Sequence, residues 1–334
     1  MAGFLARRIA ALLLVVFAVS LVTFAISHLV PGDPARMIAG PRASAQQLAA
    51  IRHELGLDRP VLVQYEIYGT HLLHGDLGKS IVTNRPVLGE IASRVPATLE
   101  LMLCALIVSL LFGIPIGIAA ALNQGRFVDH LVRGFSALTV SIPAFWLAPL
   151  LILLFYGALG VFPASGRIDG EPPTAITGLF LIDSALTLNF RAFADAASHL
   201  VLPVATLSFL DMGAIARLVR GQMIEVLSED YIKTARASGL PERAVIYRHA
   251  LRNALIPLVT VLGMSLAQLL YGSVIIESLF AWPGTGSYVV NAIFALDFPV
   301  IMGFTVLVST AYVVVNLLVD LLYMLLDPRI RAAA

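Results

Sequence analysis

Charge is what this chain has least of. Asp, Glu, Lys and Arg make up 13% of its 334 residues, about half the share of an ordinary soluble domain. Apolar residues make up 59%. A water-soluble core of this length cannot hide so much apolar surface, so the composition points to the bilayer as solvent. Cysteine is nearly missing. Cys104 stands alone inside an apolar run, which excludes an intrachain disulfide and reads as a buried, inert thiol. The net charge of +1 is too small for a nucleic-acid binder. Catalytic patterns are absent as well: the sequence holds no His-Glu-x-x-His, no Gly-x-Ser-x-Gly and no cysteine cluster. No acid, base and nucleophile group into a plausible set, so no catalytic residue and no metal site is expected. Gly78-Lys79-Ser80 imitates the end of a phosphate-binding loop, but Leu73 stands where the first glycine belongs. His71 and His74, at i and i+3, can share a helix face but lack a third ligand, and read as surface histidines.

What is present is a series of long apolar runs near 9–30, 101–122, 135–161, 197–216, 255–277 and 300–326. Each is long enough to cross roughly 30 Å of hydrocarbon as a helix. The first follows Arg7 and Arg8 and reads as an uncleaved signal anchor, because Leu29-Val-Pro-Gly-Asp-Pro34 offers no small-residue cleavage site. Orientation follows the Lys/Arg bias of short loops. Arg126 and Arg133 follow the second run, seven basic residues lie between Arg217 and Arg252, and Arg329 and Arg331 end the chain, whereas 278–299 holds no Lys or Arg. Six spans put all the basic loops and both termini in the cytoplasm. A seventh span at Thr174–Phe190 would invert that bias, so this stretch, interrupted by Asp183, is expected as an external re-entrant or surface helix. The fold class is thus an all-α integral membrane protein. Its parts are 1–30 (terminus and first span), 31–100 (external cap) and 101–334 (five-span core). The core carries an external segment, 162–196, and a cytoplasmic loop, 217–256.

Within the cap, Ser44 is placed to cap a helix through Leu55, ended by Gly56, and Pro60 to open another through His74. Ionisable groups inside the spans are scarce, unlike in a proton-coupled transporter. Glu100 and Glu277 sit at span ends, and Asn316 and Asp320 lie one turn apart in the last span. Asp211 is the exception. A buried carboxylate needs a partner, and Arg217 or a neighbouring subunit can supply it. Gly113-Ile-Pro-Ile-Gly117 permits close helix approach, and Pro115, Pro143, Pro149 and Pro203 can kink spans.

The loop after the fourth run is too elaborate for a simple corner. Ser228 reads as an N-cap, with Glu229 and Asp230 in the first turn of a helix Tyr231–Ser238 that stops at Gly239. Pro241 starts a second helix with Glu242 behind it. There Val245, Ile246 and His249 share one side, while Arg243, Arg248 and Arg252 stay polar. The glycine elbow and mixed charge fit a protein partner better than lipid headgroups.

Tyr231-Ile-Lys-Thr-Ala-Arg-Ala-Ser-Gly239-Leu and His249-Ala-Leu-Arg-Asn253 resemble the cytoplasmic coupling loop of ABC importer permeases of the peptide/nickel group. The resemblance continues in Pro31-Gly-Asp-Pro34, His74-Gly-Asp-Leu-Gly78, Pro96-Ala-Thr-Leu-Glu100 and Phe280-Ala-Trp-Pro-Gly284. It extends to Asn316-Leu-Leu-Val-Asp-Leu-Leu-Tyr323 and Asp327-Pro-Arg-Ile-Arg331, as in the first permease of dipeptide systems. Where the general importer loop begins Glu-Ala-Ala, this chain has Lys233, Thr234 and Ala235, and Asp211 lies outside the family pattern. The resemblance implies a six-span type I importer fold and a heterodimer with a second permease. It also implies two cytoplasmic ATPases that hold ATP and magnesium, and an external solute-binding protein. No cofactor is implied on this chain. The coupling residues it implies are Tyr231, Lys233, Thr234, Ala235, Arg236, Ala237, Gly239, Glu242, Arg243, His249, Arg252 and Asn253. The cargo it implies is a short peptide in a bacterial inner membrane, with a nickel or nickel-chelate importer as the nearest alternative. A non-transporting membrane scaffold is the remote one.

Overall fold

The computed structural model describes residues 2–29, 43–54, 56 and 58–326. In chain order its helices are α1 (Ala2–Leu29), α2 (Ala45–Glu54), α3 (Val61–Leu73), α4 (Val87–Leu122), α5 (Phe127–Ser141), α6 (Ala144–Leu151), α7 (Phe180–Leu186), α8 (Phe190–Ser228), α9 (Asp230–Ala237), α10 (Glu242–Ala244), α11 (Leu251–Ala254), α12 (Ile256–Leu279), α13 (Thr285–Phe294) and α14 (Phe298–Leu326). A π-helical turn, Ile152–Ala158, continues α6, and another, Val245–Ala250, joins α10 to α11. Among the described residues the sole β pairing is one bridge between Lys79 and Pro86.

Among the described residues, five helices are long and apolar enough to cross a membrane: α1, α4, α8, α12 and α14. A sixth crossing exists if α5 and α6 count as one broken span, for the chain bends by 102° between them. The run 135–161 is therefore not one straight helix. Pro143 cannot donate an N–H and forces Ile142 out of helical geometry, to φ −95° and ψ 113°. Arg133 accordingly lies within α5 and not in a loop. The outer surface is strongly apolar, as in Leu103, Ile107, Leu111 and Phe112 along α4, which fits lipid as the surrounding medium.

The chain divides into two compact units, 1–95 with 288–314, and 96–287 with 315–334. In the first, Ser44 and Gln47 form a reciprocal capping box at α2, with N–H to side-chain distances of 2.9 and 3.2 Å. The helix ends at Glu54, before a left-handed Gly56. Tyr65 and Tyr68 of α3 pack on Phe24 of α1, and Ser20 Oγ lies 2.9 Å from the Tyr65 hydroxyl. His71 and His74 do not converge on a site. His71 Nδ1 meets Asp76, and His74 Nδ1 meets the Thr70 carbonyl. Ser80, of the false phosphate loop, instead donates to Asp297 at 2.6 Å.

In the second unit, α8 lies against α5, α6 and α12. Its 39 residues far exceed the 197–216 run, because nothing breaks the helix before Glu229. Asn189 caps its start by accepting from the Ala192 N–H at 3.1 Å. The stretch Thr174–Phe190 is not one helix. Left-handed Gly178 and Leu188 confine helical geometry to α7. Asp183 is a buried acceptor for the N–H groups of Ile176, Thr177 and Gly178 and for the Thr177 hydroxyl. Burial raises its pKa, but these donors prevail and hold it below the usual carboxylate range. Gly113 and Gly117 face α8 directly: a Cβ on Gly117 would sit 2.7 Å from the Ala216 carbonyl oxygen and 2.8 Å from Val219 Cβ.

Gly117→Ala should therefore destabilise the protein by roughly 1–3 kcal/mol. Gly134→Ala, where an added methyl meets nothing within 4 Å, should not. Thermal unfolding in detergent compares the two.

Candidate functional site

The basic loop is built on the C-terminal end of α8. Ser228 is not an N-cap: it closes α8 and donates its hydroxyl to the Glu225 carbonyl. Glu229 is the pivot, extended at φ −66° and ψ 149°, and α9 follows. Gly239 takes φ +78°, a conformation open to glycine at little cost. Across this elbow, Arg236 and Glu242 close an ion pair at 2.8 Å. The Arg236 guanidinium holds the Glu242 carboxyl below its usual range, and Arg236 in turn is raised. The ends of the motif meet too, where Asn253 Nδ2 donates to the Tyr231 hydroxyl at 2.8 Å. Lys233 pairs with Asp230 at 2.8 Å, an exposed contact of little energetic weight.

The loop has two faces. Ile232, Val245, Ile246, Ala250 and Ala254 are buried in one cluster with Ile118 and Ala121 of α4 and Ile215, Val219 and Met223 of α8. His249 is only half-buried, so the expected Val245, Ile246, His249 face is replaced by Val245, Ile246 and Ala250. The π turn inserts one residue per turn and moves the stripe on by one. The opposite face is exposed. It carries Tyr231, Lys233, Thr234, Arg236, Ala237, Gly239, Glu242, Arg243, Arg252 and Asn253, whereas Ala235 is half-buried against the apolar cluster. The sequence reading missed Leu240 and Tyr247 on this face, 40% and 57% exposed. Their signal was present, since an exposed Tyr among arginines is the composition of a protein interface.

Two sequence segments of the second unit also converge. Glu277, fully buried, accepts from Thr98 Oγ1 at 2.8 Å and from the N–H groups of Gly286 and Ser287 at 2.6 and 3.0 Å. Trp282 Nε1 donates to the Ala97 carbonyl at 2.9 Å. Glu100 is held by Arg167 Nη2 at 2.6 Å and by the Leu181 N–H at 2.7 Å. Pro96–Glu100 and Phe280–Gly284 thus form one fastening.

Asp211 is 3% exposed, and its Oδ2 has no hydrogen-bond partner among the described residues. Arg217 is not that partner. It is exposed and lines a cavity of about 230 Å³ with Arg133, Ser136 and Arg220. Arg220 pairs with Asp129 of α5, its Nη2 2.8 Å from Oδ2. Among the spans, Asn316 lies half-buried on α14. The segments Pro31–Pro34 and Asp327–Arg331 lie outside the described residues.

Ile232→Asp puts a carboxylate into the apolar cluster and should release the loop while leaving the spans inserted. Trypsin cleavage after Lys233 and Arg236 should accelerate at least about tenfold. Unchanged cleavage would mean that Ile232 is no anchor.

The description "Binding-protein-dependent transport system inner membrane component" matches residues 113–332, and its N-terminal counterpart matches residues 1–102. A probable D,D-dipeptide transport system permease protein of Escherichia coli is 54% identical over 328 residues, covering 98% of this chain and 96% of the relative. A di/tripeptide transport system permease protein of Pseudomonas aeruginosa is 44% identical, covering 99% of both chains. A glutathione transport system permease protein of Salmonella paratyphi A is 40% identical, also covering 99% of both. With family matches along nearly its whole length and a two-faced loop at the end of its longest helix, the chain belongs to the inner membrane permease components of binding-protein-dependent ABC importers.

Proposed function

We propose that this permease forms half of the translocation pathway for short, dipeptide-like solutes and is driven through the loop Tyr231–Asn253. The loop's two faces carry the proposal. A surface anchored by Ile232, Val245 and Ala250 to the ends of α4 and α8 transmits displacement to those helices. Its exposed face, with Tyr231, Arg236, Tyr247 and Arg252, is free to seat in a partner's groove. The chain carries no nucleotide motif, so ATP and magnesium belong on partners. Those partners are two cytoplasmic ATPase subunits, a second homologous permease and an external solute-binding protein. Closure of the ATPases pushes the loop, and the spans alternate access. Both termini then lie in the cytoplasm, as the basic loops require. Peptide cargo is favoured over nickel by the relatives, whose names specify D,D-dipeptides, di- and tripeptides and glutathione.

In the reconstituted complex, loaded binding protein should stimulate ATP hydrolysis and peptide uptake together. Gly239→Pro, which cannot adopt φ +78°, should leave the protein inserted and lower uptake about tenfold or more relative to hydrolysis. Unchanged uptake at normal expression defeats the coupling role. Asp211→Asn should retain uptake within about twofold, because Asp211 serves assembly and not proton transfer. Loss of uptake with normal assembly would reverse that assignment.

A further inference from the structure

The geometry points to a binding site for one divalent transition-metal ion of the zinc type at Asp169, Asp195 and His199, where the chain before α7 meets the first turns of α8. One ligand atom from each residue lies within 4.8 Å of the other two. The arrangement around the imidazole suits a cation. His199 is buried, its side chain 1% exposed. Its Nδ1 faces the Asp195 carbonyl at 3.0 Å and Asp195 Oδ1 at 3.1 Å. Both are acceptors, so Nδ1 carries the proton and Nε2 presents a lone pair. That Nε2 is buried without a hydrogen-bond partner among the described residues, and it looks at Asp169 Oδ1 from 3.4 Å. A buried lone pair and a carboxylate oxygen at this distance repel unless positive charge lies between them.

The spacing suits a metal ion. Two ligands bound at about 2.1 Å, with a tetrahedral angle between them, lie about 3.4 Å apart. A metal-binding imidazole ordinarily donates its other N–H to a carbonyl or carboxylate, which fixes the ring. His199 does this with Asp195. Asp195 is itself oriented by the Gly170 N–H at 2.9 Å and the Asp169 N–H at 3.4 Å. Asp169, 82% exposed at its side chain, leaves a way in for the ion and a place for a water ligand. One imidazole and two carboxylates form a nitrogen and oxygen set that zinc accepts. The sequence hid this group. Asp195 and His199 at i and i+4 are ordinary helix neighbours, and Asp169 lies 26 residues earlier in a segment without pattern. An ion here staples that segment to α8, at the end of the helix away from the coupling loop.

The test measures zinc bound to the full-length chain in detergent, with any affinity tag removed, by elemental analysis and by competition with a chelating dye. The expected result is about one zinc per chain. Asp169→Asn and His199→Gln should each weaken binding about tenfold or more. Asp169 is exposed, so Asp169→Asn leaves the fold intact even if His199→Gln does not. Equal zinc binding by wild type and Asp169→Asn overturns the proposal. So does a wild-type chain that binds no zinc.

Discussion

Taking a carboxylate out of water costs several kcal/mol unless its oxygens find donors, and this chain turns that constraint into a fastening device. Glu277 is the clearest case, at the end of α12, with two successive backbone N–H groups from the start of α13 and a hydroxyl from α4. The surroundings follow from it. A Cβ at Gly284 would collide with the Glu277 carboxylate, and one at Gly286 would lie 2.8 Å from Oε2. The same construction recurs within each unit wherever a turn has to be held. Asp183 gathers the N–H groups of Ile176, Thr177 and Gly178, and Asp297 gathers those of Ile81 and Val82. Asp195 gathers those of Asp169 and Gly170. An acid that accepts several turn amides satisfies both partners at once.

Much of this was legible in the sequence, because hydrophobic length and turn chemistry are local. Ser44, Gly56, Pro60 and Gly239 act where the sequence places them. The positions of the apolar runs coincide with α1, α4, α8, α12 and α14. What the sequence did not show depends on competition between signals. Ser228 has the right chemistry for a cap, but α8 was already propagating through it, and adding one more helical residue is cheaper than starting a new helix. Arg217 and Arg220 read as loop charges because the helix carrying them outruns the apolar stretch. The π turn at Val245–Ala250 shifts a buried stripe in a way no simple periodicity can anticipate. The pairings of Glu277 with Thr98 and of Glu100 with Arg167 span long sequence separations, and no local pattern encodes them.

The loop Tyr231–Asn253 shows how a short polar segment becomes a rigid surface. Alone, a helix the length of α9 is far below the length that is stable in water. Ile232 gives it an apolar foothold, the Arg236–Glu242 pair closes its elbow, and the Asn253–Tyr231 hydrogen bond joins its two ends. None of the exposed polar contacts is strong by itself. Their value lies in leaving one shape to the exposed face.

Pro203 gives α8 a further property. Lacking an N–H, it cannot bond to the carbonyl four residues back, that of His199. The helix is thus softened at one place and continuous elsewhere. On either side stand arms of about 20 Å, from Phe190 to Leu202, and about 37 Å, from Val204 to Ser228, at 1.5 Å per residue. A hinge so placed acts as a lever with a ratio of roughly one to two. Any tilt at Pro203 would move the tip that carries the loop nearly twice as far as the opposite tip.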